Sequence, residues 1–394
     1  MKQIIRQIFI EESTSEKTPK PIRVKMDMFI PEDIKQIKGV FENNGFKLFI
    51  VGGAVRDGIL NKPIKDYDLA TDAEPDKVEE MMNKAGLTTI ATGKAFGVIN
   101  VFVNKNEYEV ATFRTDGDYS DGRRPDSVEF GTIEQDVARR DLTINALFYD
   151  IETGEVVDLV GGIDDLKKGV VKTVGKPEDR FKEDKLRILR SIRFAGRFGS
   201  ELDKAIDTAL QKDSNLEGIS GERIRDEFIK GLASAKSTKQ YLQLIDKYKL
   251  FDCVFNGLDI NKRFIDNDDS IVLIAMLLYN NDLSGLAKKL NQLKYSSDEV
   301  KKITTLIAML DLDIEIAPKL KDSFLKSGLS NDQLRNFGGN MGMNSQLLDS
   351  FEEYLKLPKT TGQEAMEKYK IEKPGPELGK AINSMEIEKF QKLV

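Results

Sequence analysis

Two short stretches, Val51-Gly-Gly-Ala-Val-Arg-Asp57 and Asp66-Tyr-Asp-Leu-Ala70, decide the fold of the first part of the chain. The first follows Lys47-Leu-Phe-Ile-Val51, whose apolar run predicts a short buried strand, and it leads into residues 55–60, which have a helical pattern. Glycines at such a turn let the backbone approach a phosphate closely, and the amides of a helix start favour anions. The turn is neither a dinucleotide-binding GxGxxG motif nor a P-loop.

Asp66 and Asp68 stand two residues apart in the second stretch, whose alternation predicts a strand. This spacing puts both carboxylates on one face, where they repel each other unless a cation lies between them. Carboxylates of this kind hold the ions of a two-metal site, which activates an attacking hydroxyl and stabilises a leaving pyrophosphate. An isolated Asp-x-Asp is more often a solvated pair on an exposed edge, but the glycine turn just upstream favours the metal site.

Glu109 lies in the segment Tyr108–Phe113, a predicted strand that we expect beside the aspartate strand. It is either a third carboxylate of the site or an outward-facing strand residue, and the sequence leaves both open. The chain contains no histidine and one cysteine, Cys253, which excludes a disulfide within the chain, a Ser-His-Asp triad and zinc sites built on histidine or several cysteines. Carboxylate, carbonyl and water ligands suit Mg²⁺ or Mn²⁺.

The composition is that of an ordinary protein rich in helix, with 394 residues, 40% hydrophobic and 32% charged. No stretch approaches the roughly 18 uncharged apolar residues of a transmembrane helix. Residues 1–17 lack the apolar core of a signal peptide, so we expect no membrane partner and a cytoplasmic location. The net charge of −6 argues mildly against nucleic-acid binding. A local basic strip can nevertheless bind phosphates on an acidic protein.

The spacing of apolar residues predicts an α+β head followed by helices. Helical spacing marks residues 31–46 and 75–85, a hairpin joins residues 98–103 to 108–113, and nearly everything beyond Lys182 has a helical period. We therefore expect an N-terminal extension (1–30), a catalytic head (31–150), a neck (151–235), a helical body (236–330) and a helical tail (331–394).

Two arginine-bearing segments follow the predicted head strands. Arg139-Arg-Asp-Leu-Thr-Ile-Asn-Ala146 begins a predicted helix, where two arginines could clamp a triphosphate with Asp141 and Asn145 near the sugar. The alternative is a solvated, partly basic helix. In Glu183-Asp-Lys-Leu-Arg-Ile-Leu-Arg190, Asp184 and Arg187 lie three residues apart and hence on one helix face.

The pair Asp184 and Arg187 has the chemistry to read a base. A carboxylate accepts hydrogen bonds and a guanidinium only donates them. Cytosine and adenine each offer an amino donor beside a ring acceptor, whereas guanine and uracil carry a carbonyl in place of the amino group. An unsatisfied group costs about 1–3 kcal/mol, so the pair can select C and A. The alternative is an intrahelical salt bridge. Arg190, Arg193 and Arg197 continue on the same side and form a strip fit for phosphates.

Together these segments resemble the class II tRNA nucleotidyltransferases and bacterial poly(A) polymerases of the polymerase-β-like nucleotidyltransferase superfamily. The resemblance covers about residues 48–230 and implies a head with a mixed sheet, then an all-helical neck, body and tail. It implies addition of C, C and A to the 3′ end of tRNA from CTP and ATP, with release of pyrophosphate. The segments that carry it are 51–57 with 65–69, 139–146, 158–166, 183–190 and 220–227.

The resemblance also implies residue roles. Asp66 and Asp68 would hold Mg²⁺, two ions being expected and Mn²⁺ a substitute, and would activate the RNA 3′ hydroxyl with Glu109 as a further catalytic candidate. The helical C-terminal half would grip the tRNA acceptor end by shape and backbone charge. No protein partner is implied. The residues expected to bind the nucleotide are Gly52, Gly53, Arg56, Arg139, Arg140, Asp141, Asn145, Asp184, Arg187, Arg190 and Arg193.

Several alternatives stay open at this point. Residues 114–125 resemble the flexible loop of enzymes that add the terminal A, which argues against an enzyme that adds only CC. An enzyme restricted to A addition and a poly(A) polymerase are still possible, as is an RNA-binding module with a degenerate head. The intact Asp-x-Asp and Asp-x-x-Arg pairs argue against the last of these. The sequence assigns no role to the N-terminal extension.

Overall fold

The structure is a computed structural model that describes residues 21–117, 119 and 125–394. The chain divides into two compact units, Met1–Ile219 and Ser220–Val394. In the described residues, strands occur only in the first unit. They are β1 (Ile22–Lys25), β2 (Leu48–Val51), β3 (Asp68–Thr71), β4 (Thr88–Ile90), β5 (Val98–Val103), β6 (Asn106–Thr112), β7 (Arg114–Asp116), β8 (Val128–Phe130), β9 (Leu147–Asp150), β10 (Glu155–Asp158), β11 (Val170–Val171) and β12 (Glu201–Leu202).

Eight of these strands form one mixed sheet in the order β1-β10-β9-β2-β3-β6-β5-β4. Strands β3 and β6 run parallel, and the other neighbouring pairs of this sheet run antiparallel. Two small sheets, β7 with β8 and β11 with β12, stand apart from it. The central strand β2 is buried along its whole length, which explains why Leu48-Phe-Ile-Val51 is continuously apolar.

Helices of the first unit cover the sheet, and side chains of β2 point alternately to two separate cores. Leu48 and Ile50 belong to one core together with residues of the helices Glu32–Asn43, Gly53–Ile59 and Pro75–Lys84. Phe49 and Val51 belong to the other, with Phe113 and Phe148. The helices are α1 (Glu32–Asn43), α2 (Gly53–Ile59), α3 (Pro75–Lys84), α4 (Ile133–Ala138), α5 (Gly162–Lys168), α6 (Pro177–Glu183), α7 (Leu186–Phe198) and α8 (Lys204–Lys212).

The second unit is helical throughout its described residues. The most apolar helix, Ser270–Leu278, is buried on all sides, and several others begin at Ser, Thr or Asp caps that accept backbone N–H groups. The helices are α9 (Gly221–Ser234), α10 (Thr238–Lys247), α11 (Phe251–Phe255), α12 (Ser270–Leu278), α13 (Leu283–Gln292), α14 (Ser297–Ala308), α15 (Ala317–Ser327), α16 (Asn331–Met341), α17 (Ser345–Lys356), α18 (Gly362–Tyr369) and α19 (Pro376–Gln391).

The predicted α+β class, a mixed sheet followed by helices, is confirmed. The predicted hairpin is confirmed, although its turn is shorter than predicted: only Asn104 and Lys105, both in the left-handed conformation, separate β5 from β6, which begins at Asn106. The limits of the head differ from 31–150, since the sheet takes in both β1 and β10. The boundaries of neck, body and tail stay predictions.

Two local predictions were wrong. Residues 151–235 are not purely helical, because they contain β10, β11 and β12. Residues 139–148 do not form a helix; a 3₁₀ turn at Thr143–Asn145 leads directly into β9. The apolar run Leu147-Phe-Tyr149 has the composition of a buried strand, and pairing with β2 and β10 outweighed the helical spacing.

Among the described residues, no helix combines the length and the apolar character that crossing a membrane requires.

The aromatic core beneath β2 and β9 generates a stability prediction. Phe148 is fully buried and packs edge-on against Phe49 and Phe113, with ring centroids 6.2 and 6.0 Å away. We expect Phe148→Ala to lower the free energy of unfolding by about 3–5 kcal/mol, because a large cavity replaces the ring. Urea unfolding measures this. Phe29→Ala is the control: its side chain is 79% exposed, and we expect a change within about 0.5 kcal/mol. Equal effects in the two variants would contradict the prediction.

Candidate active site

A cavity of about 490 Å³ in the first unit collects most of the predicted site residues. Asp66 and Arg193 do not line it. Residues that the sequence analysis had not singled out contribute apolar walls: Val51, Leu69, Val98, Ala111 and Phe194. The predicted residues that line it are Gly52, Gly53, Arg56, Asp68, Glu109, Arg139, Arg140, Asp141, Asn145, Asp184, Arg187 and Arg190.

The turn at Gly52 forms one wall of this cavity. Gly52 has φ 66° and ψ −118°, a conformation that residues with a Cβ rarely adopt. Its N–H donates to the carbonyl of Leu147 at 3.0 Å, which ties the turn to β9. A Cβ at this position would lie 3.5 Å from the carbonyl oxygen of Asn145. The glycine therefore allows a sharp passage from β2 to α2 directly beside the cavity.

Arg56 follows this turn and is only 4% exposed. Its guanidinium donates to Asp57 at 3.0 Å and to the side-chain oxygen of Asn145. It also lies over the rings of Phe194 and Phe198, 5.1 and 5.4 Å from their centroids. Burial lowers the pKa of Arg56, and the bond to Asp57 opposes that effect. Arg56 thus joins the glycine turn to the aromatic side of α7, a contact that the sequence did not reveal.

Asp68 and Glu109 are the acidic groups that the sheet contributes to the cavity. Leu69 pairs with Val110, so Asp68 and Glu109 occupy adjacent positions of the parallel strands β3 and β6. The surrounding protein partly desolvates Asp68, although the residue remains exposed, and this raises its pKa; the charge of Asp66 adds to the effect and Arg140 opposes it. Burial, then the charge of Asp68, raises the pKa of Glu109. The negative charges of these carboxylates therefore repel each other, and a bound cation would reduce that repulsion.

The donor set limits how a metal ion would be bound. In the part of the chain that the structure describes, no three Asp, Glu or Cys side chains lie close enough together to hold one. Mg²⁺ typically takes one or two carboxylates together with substrate phosphates, so Asp66 and Asp68 fit this mode without a third ligand. Asp66 precedes β3, whereas the sequence predicted that it lies within that strand.

Asp136, which the sequence analysis missed, lies behind two arginines of the cavity. Its carboxylate is nearly inaccessible and takes two bonds from each: Arg139 at 2.9 and 2.6 Å, and Arg140 at 3.1 and 2.9 Å. Burial alone would raise the pKa of Asp136, but the charges of Arg140 and Arg139 outweigh it and hold the pKa below its usual value. The signal was present, since Asp136 stands three and four residues before the arginines. Arg139 and Arg140 directly follow the last residue of α4, so the prediction that they stand at the start of a helix was wrong.

Asp184 and Arg187 both line the cavity, but they do not share a helix face as predicted. Helix α6 ends at Glu183, Asp184 has an extended backbone, and α7 begins at Leu186. The Asp184 carboxylate accepts the N–H of Leu186 at 2.9 Å, which stabilises the start of α7. Arg187 donates to Glu183 and, at 3.2 Å, to the carbonyl of Arg139. The break between two helices, rather than helical spacing, therefore brings the pair together.

The predicted strip of arginines along α7 is largely neutralised. Arg190 donates to Asp141 at 2.8 Å, and Arg197 donates to Asp57 at 2.9 Å. The Asp141 carboxylate also accepts the N–H of Leu142 at 2.7 Å. Each bond attaches a side chain of α7 to a residue of the predicted head, so these arginines hold α7 against the head. Their predicted contacts with phosphates remain predictions.

Only the base of the predicted flexible loop can be described, because residues 118 and 120–124 lie outside the described part. There, Asp116 accepts bonds from Arg114 at 2.8 Å and from the hydroxyl of Tyr119 at 2.6 Å. Arg139 lies 3.7 Å from the same carboxylate. The base of the loop therefore contacts a cavity arginine directly.

Comparison with known proteins identifies the family to which the chain belongs. A family profile described as "Poly A polymerase head domain" matches residues 48–172, and one described as "Probable RNA and SrmB- binding site of polymerase A" matches residues 201–261. A CCA-adding enzyme from Ligilactobacillus salivarius is 32% identical over 392 residues, covering 91% of this chain and 93% of that protein. The chain belongs to the family of CCA-adding enzymes. Nucleotidyltransferases of this kind generally use a divalent metal ion.

Solved structures support the fold. The Bacillus stearothermophilus CCA-adding enzyme, crystallised with CTP, is 24% identical and covers 92% of this chain and 93% of its own, with a TM-score of 0.68. The Thermotoga maritima CCA-adding enzyme, in complex with tRNA, is 19% identical and covers 94% and 98%, with a TM-score of 0.65.

The fork formed by the Asp136 carboxylate and the guanidiniums of Arg139 and Arg140 generates a second prediction. We expect Asp136→Asn to lower the free energy of unfolding by about 1–3 kcal/mol, because Arg139 and Arg140 lose their buried counter-charge but remain partly solvated. Nucleotide affinity should fall with it as both guanidiniums lose their orientation. Urea unfolding and calorimetric titration with CTP measure the two effects. Glu134→Gln, an exposed acid on the same helix, should change neither. An unaltered CTP affinity in Asp136→Asn would show that the fork does not orient these arginines for the nucleotide.

Proposed function

We propose that this protein adds C, C and A to the 3′ end of tRNA, using CTP and ATP and releasing pyrophosphate. Family membership supports the reaction, and one observation connects it to this chain. One cavity is lined by the carboxylates of Asp68 and Glu109, by a set of arginines, and by Asp184 and Arg187, the pair expected to read the base. No nucleic-acid template is required if the protein itself selects the base.

Asp66 and Asp68 would hold the metal. The chemistry expected from the metal, two Mg²⁺ ions or Mn²⁺ in their place, would be a lower pKa for the attacking 3′ hydroxyl and neutralisation of charge on the leaving pyrophosphate. Glu109 lies next to Asp68 and increases the negative charge that attracts cations to this edge of the sheet. We assign it an electrostatic role beside the pair.

The arginines would hold the triphosphate. Asp136 presents Arg139 and Arg140 as one rigid unit, and bidentate guanidinium contacts suit phosphate oxygens. Gly52 and Gly53 carry no side chains at the cavity wall next to Arg140, so a sugar or phosphate can approach the backbone there. Arg56 is too deeply buried to change position, and we assign it to holding this wall in place.

Asp184 and Arg187 would select the base. Asp184 would accept a hydrogen bond from the amino group of cytosine or adenine, and Arg187 would donate to the neighbouring ring nitrogen. The bond from Arg187 to Glu183 fixes the guanidinium at the cavity wall. Asn145 and Asp141 would contact the sugar; they line the same cavity, and the Asn145 amide donates to the Asp141 carboxylate at 3.5 Å. Arg190 and Arg193 would contribute positive charge toward the phosphates.

The helical second unit would bind the tRNA acceptor end through shape and backbone charge, and the reaction would take place in the cytoplasm, without an obligatory protein partner.

Incorporation assays test this function. The purified protein, with Mg²⁺, is given each nucleoside triphosphate and then CTP with ATP, on tRNA transcripts ending before CCA, after C and after CC. We expect ordered addition of C, C and A that then stops. It should fall to background in Asp68→Ala and persist in Asp76→Ala, an exposed acid of α3. Addition of A alone would indicate an A-adding enzyme, and a long A tail a poly(A) polymerase. No incorporation would favour an RNA-binding module.

Base selection makes a separate prediction. Asn at position 184 offers an amide donor as well as an acceptor, so we expect Asp184→Asn to accept UTP more readily. The ratio of kcat/KM for CTP over UTP should fall by about tenfold or more, since the wild-type penalty comes from an unpaired polar group. Asp179→Asn, an exposed acid of α6, should keep the wild-type ratio. A preserved ratio in Asp184→Asn would remove this residue from base selection.

A further inference from the structure

The segment Met26–Ile30, here called the strap, joins β1 to α1 and contacts Tyr67, the residue that follows Asp66. The sequence alone indicates no role for this part of the chain. We propose that the strap positions Asp66 for metal binding. It does so through Tyr67, whose hydroxyl donates a hydrogen bond to the strap. This inference rests on the proposed function, because it takes Asp66 and Asp68 as the metal ligands.

Asp66 is not held by the sheet. The ladder between β2 and β3 ends at the pair Val51 and Asp68, so Asp68 has a fixed backbone whereas Asp66 lies before the first paired residue. Tyr67 stands between them. Its ring is partly buried against the core, while the two aspartates on either side are exposed, as the alternation of an extended chain requires. Whatever fixes Tyr67 therefore also sets the direction of Asp66.

The strap is what fixes Tyr67. The Tyr67 hydroxyl donates to the carbonyl of Phe29 at 2.9 Å. At its other end the strap is bonded to the sheet, because the N–H of Met26 donates to the carbonyl of Gly154 at 3.0 Å and the Tyr149 hydroxyl donates to the carbonyl of Met26 at 3.1 Å. Strand β1, which leads into it, pairs with β10 over all four of its residues. The strap is thus anchored independently of the metal site.

Packing holds the strap between these two ends. Met28 is 7% exposed and belongs to the core beneath α1, α2 and α3. Gly58 of α2 leaves the helix surface bare at this point: a Cβ there would lie 3.2 Å from the sulfur of Met28. The carbonyl of Phe29 follows this buried residue directly, so the position of the acceptor is determined by the core. A metal ligand needs placement to within about 0.5 Å, which an unpaired residue before a strand does not have by itself.

The chain supplies a matched pair of substitutions for the test. Tyr67→Phe and Tyr149→Phe each remove one hydroxyl that bonds a strap carbonyl, but only Tyr67 adjoins the aspartates. The probe is Mn²⁺ alone, titrated into the full-length protein and followed by the electron paramagnetic resonance signal of the free ion. We expect the half-saturating Mn²⁺ concentration to rise about three- to tenfold in Tyr67→Phe and to stay at the wild-type value in Tyr149→Phe. Thermal unfolding should be shifted equally in both variants.

Asp66→Asn separates this inference from the proposed function. If Asp66→Asn weakens Mn²⁺ binding and Tyr67→Phe does not, the strap has no positioning role, although the metal assignment stands. If Asp66→Asn binds Mn²⁺ like the wild type, the metal assignment fails and the inference fails with it. An equal loss of Mn²⁺ binding in Tyr67→Phe and Tyr149→Phe would mean that the strap supports the fold only. In activity assays, the Mg²⁺ concentration for half-maximal C addition should rise in Tyr67→Phe, with KM for CTP unchanged at saturating Mg²⁺.

Discussion

The buried guanidinium of Arg56 is the interaction on which the arrangement of the first unit depends. Few side chains are as costly to remove from water, and here the cost is offset by Asp57, Asn145 and two aromatic faces. Because Arg56 lies one turn beyond Gly52, its partners lock the glycine turn to the 3₁₀ turn at Thr143–Asn145 and to α7. Three segments far apart in sequence are thereby joined at one charged group.

Pairing of charges explains how an acidic protein builds a basic cavity. Most cavity arginines have a carboxylate partner behind or beside them, as Asp136 supports Arg139 and Arg140 and Asp141 supports Arg190. These acids reduce the net charge, yet they also fix the direction of each guanidinium. A triphosphate carries enough negative charge to bind such oriented donors without a large excess of free arginines. Overall charge was therefore a poor guide to the ligand.

The sequence predicted the elements of the head well where the pattern was local. Gly52-Gly53, the hairpin at Asn104 and the strand Val98–Val103 were all correctly placed, because turn chemistry and alternation act over a few residues. Other elements were predicted wrongly because contacts between residues distant in sequence determine their structure. Leu147–Asp150 became a strand because β2 and β10 flank it, and the break at Asp184 interrupts a segment whose spacing looked continuously helical. The charged residues that line the cavity were identified from their residue types, whereas Asp136 and Phe194 were missed because their roles depend on the side chains that they support.

The pairing of β1 with β10 has a consequence for how the chain acquires its structure during synthesis. Ile22 leaves the ribosome early, but its partner Asp158 emerges only after the whole of the head has been made. The edge of the sheet therefore closes late, and contacts so distant in sequence form slowly. Until then the residues that follow β1 lack their anchor on Gly154, and the head can contain folded strands and helices before it contains a finished active site. The cavity itself is completed later still, because Asp184 and Arg187 are synthesised after β10.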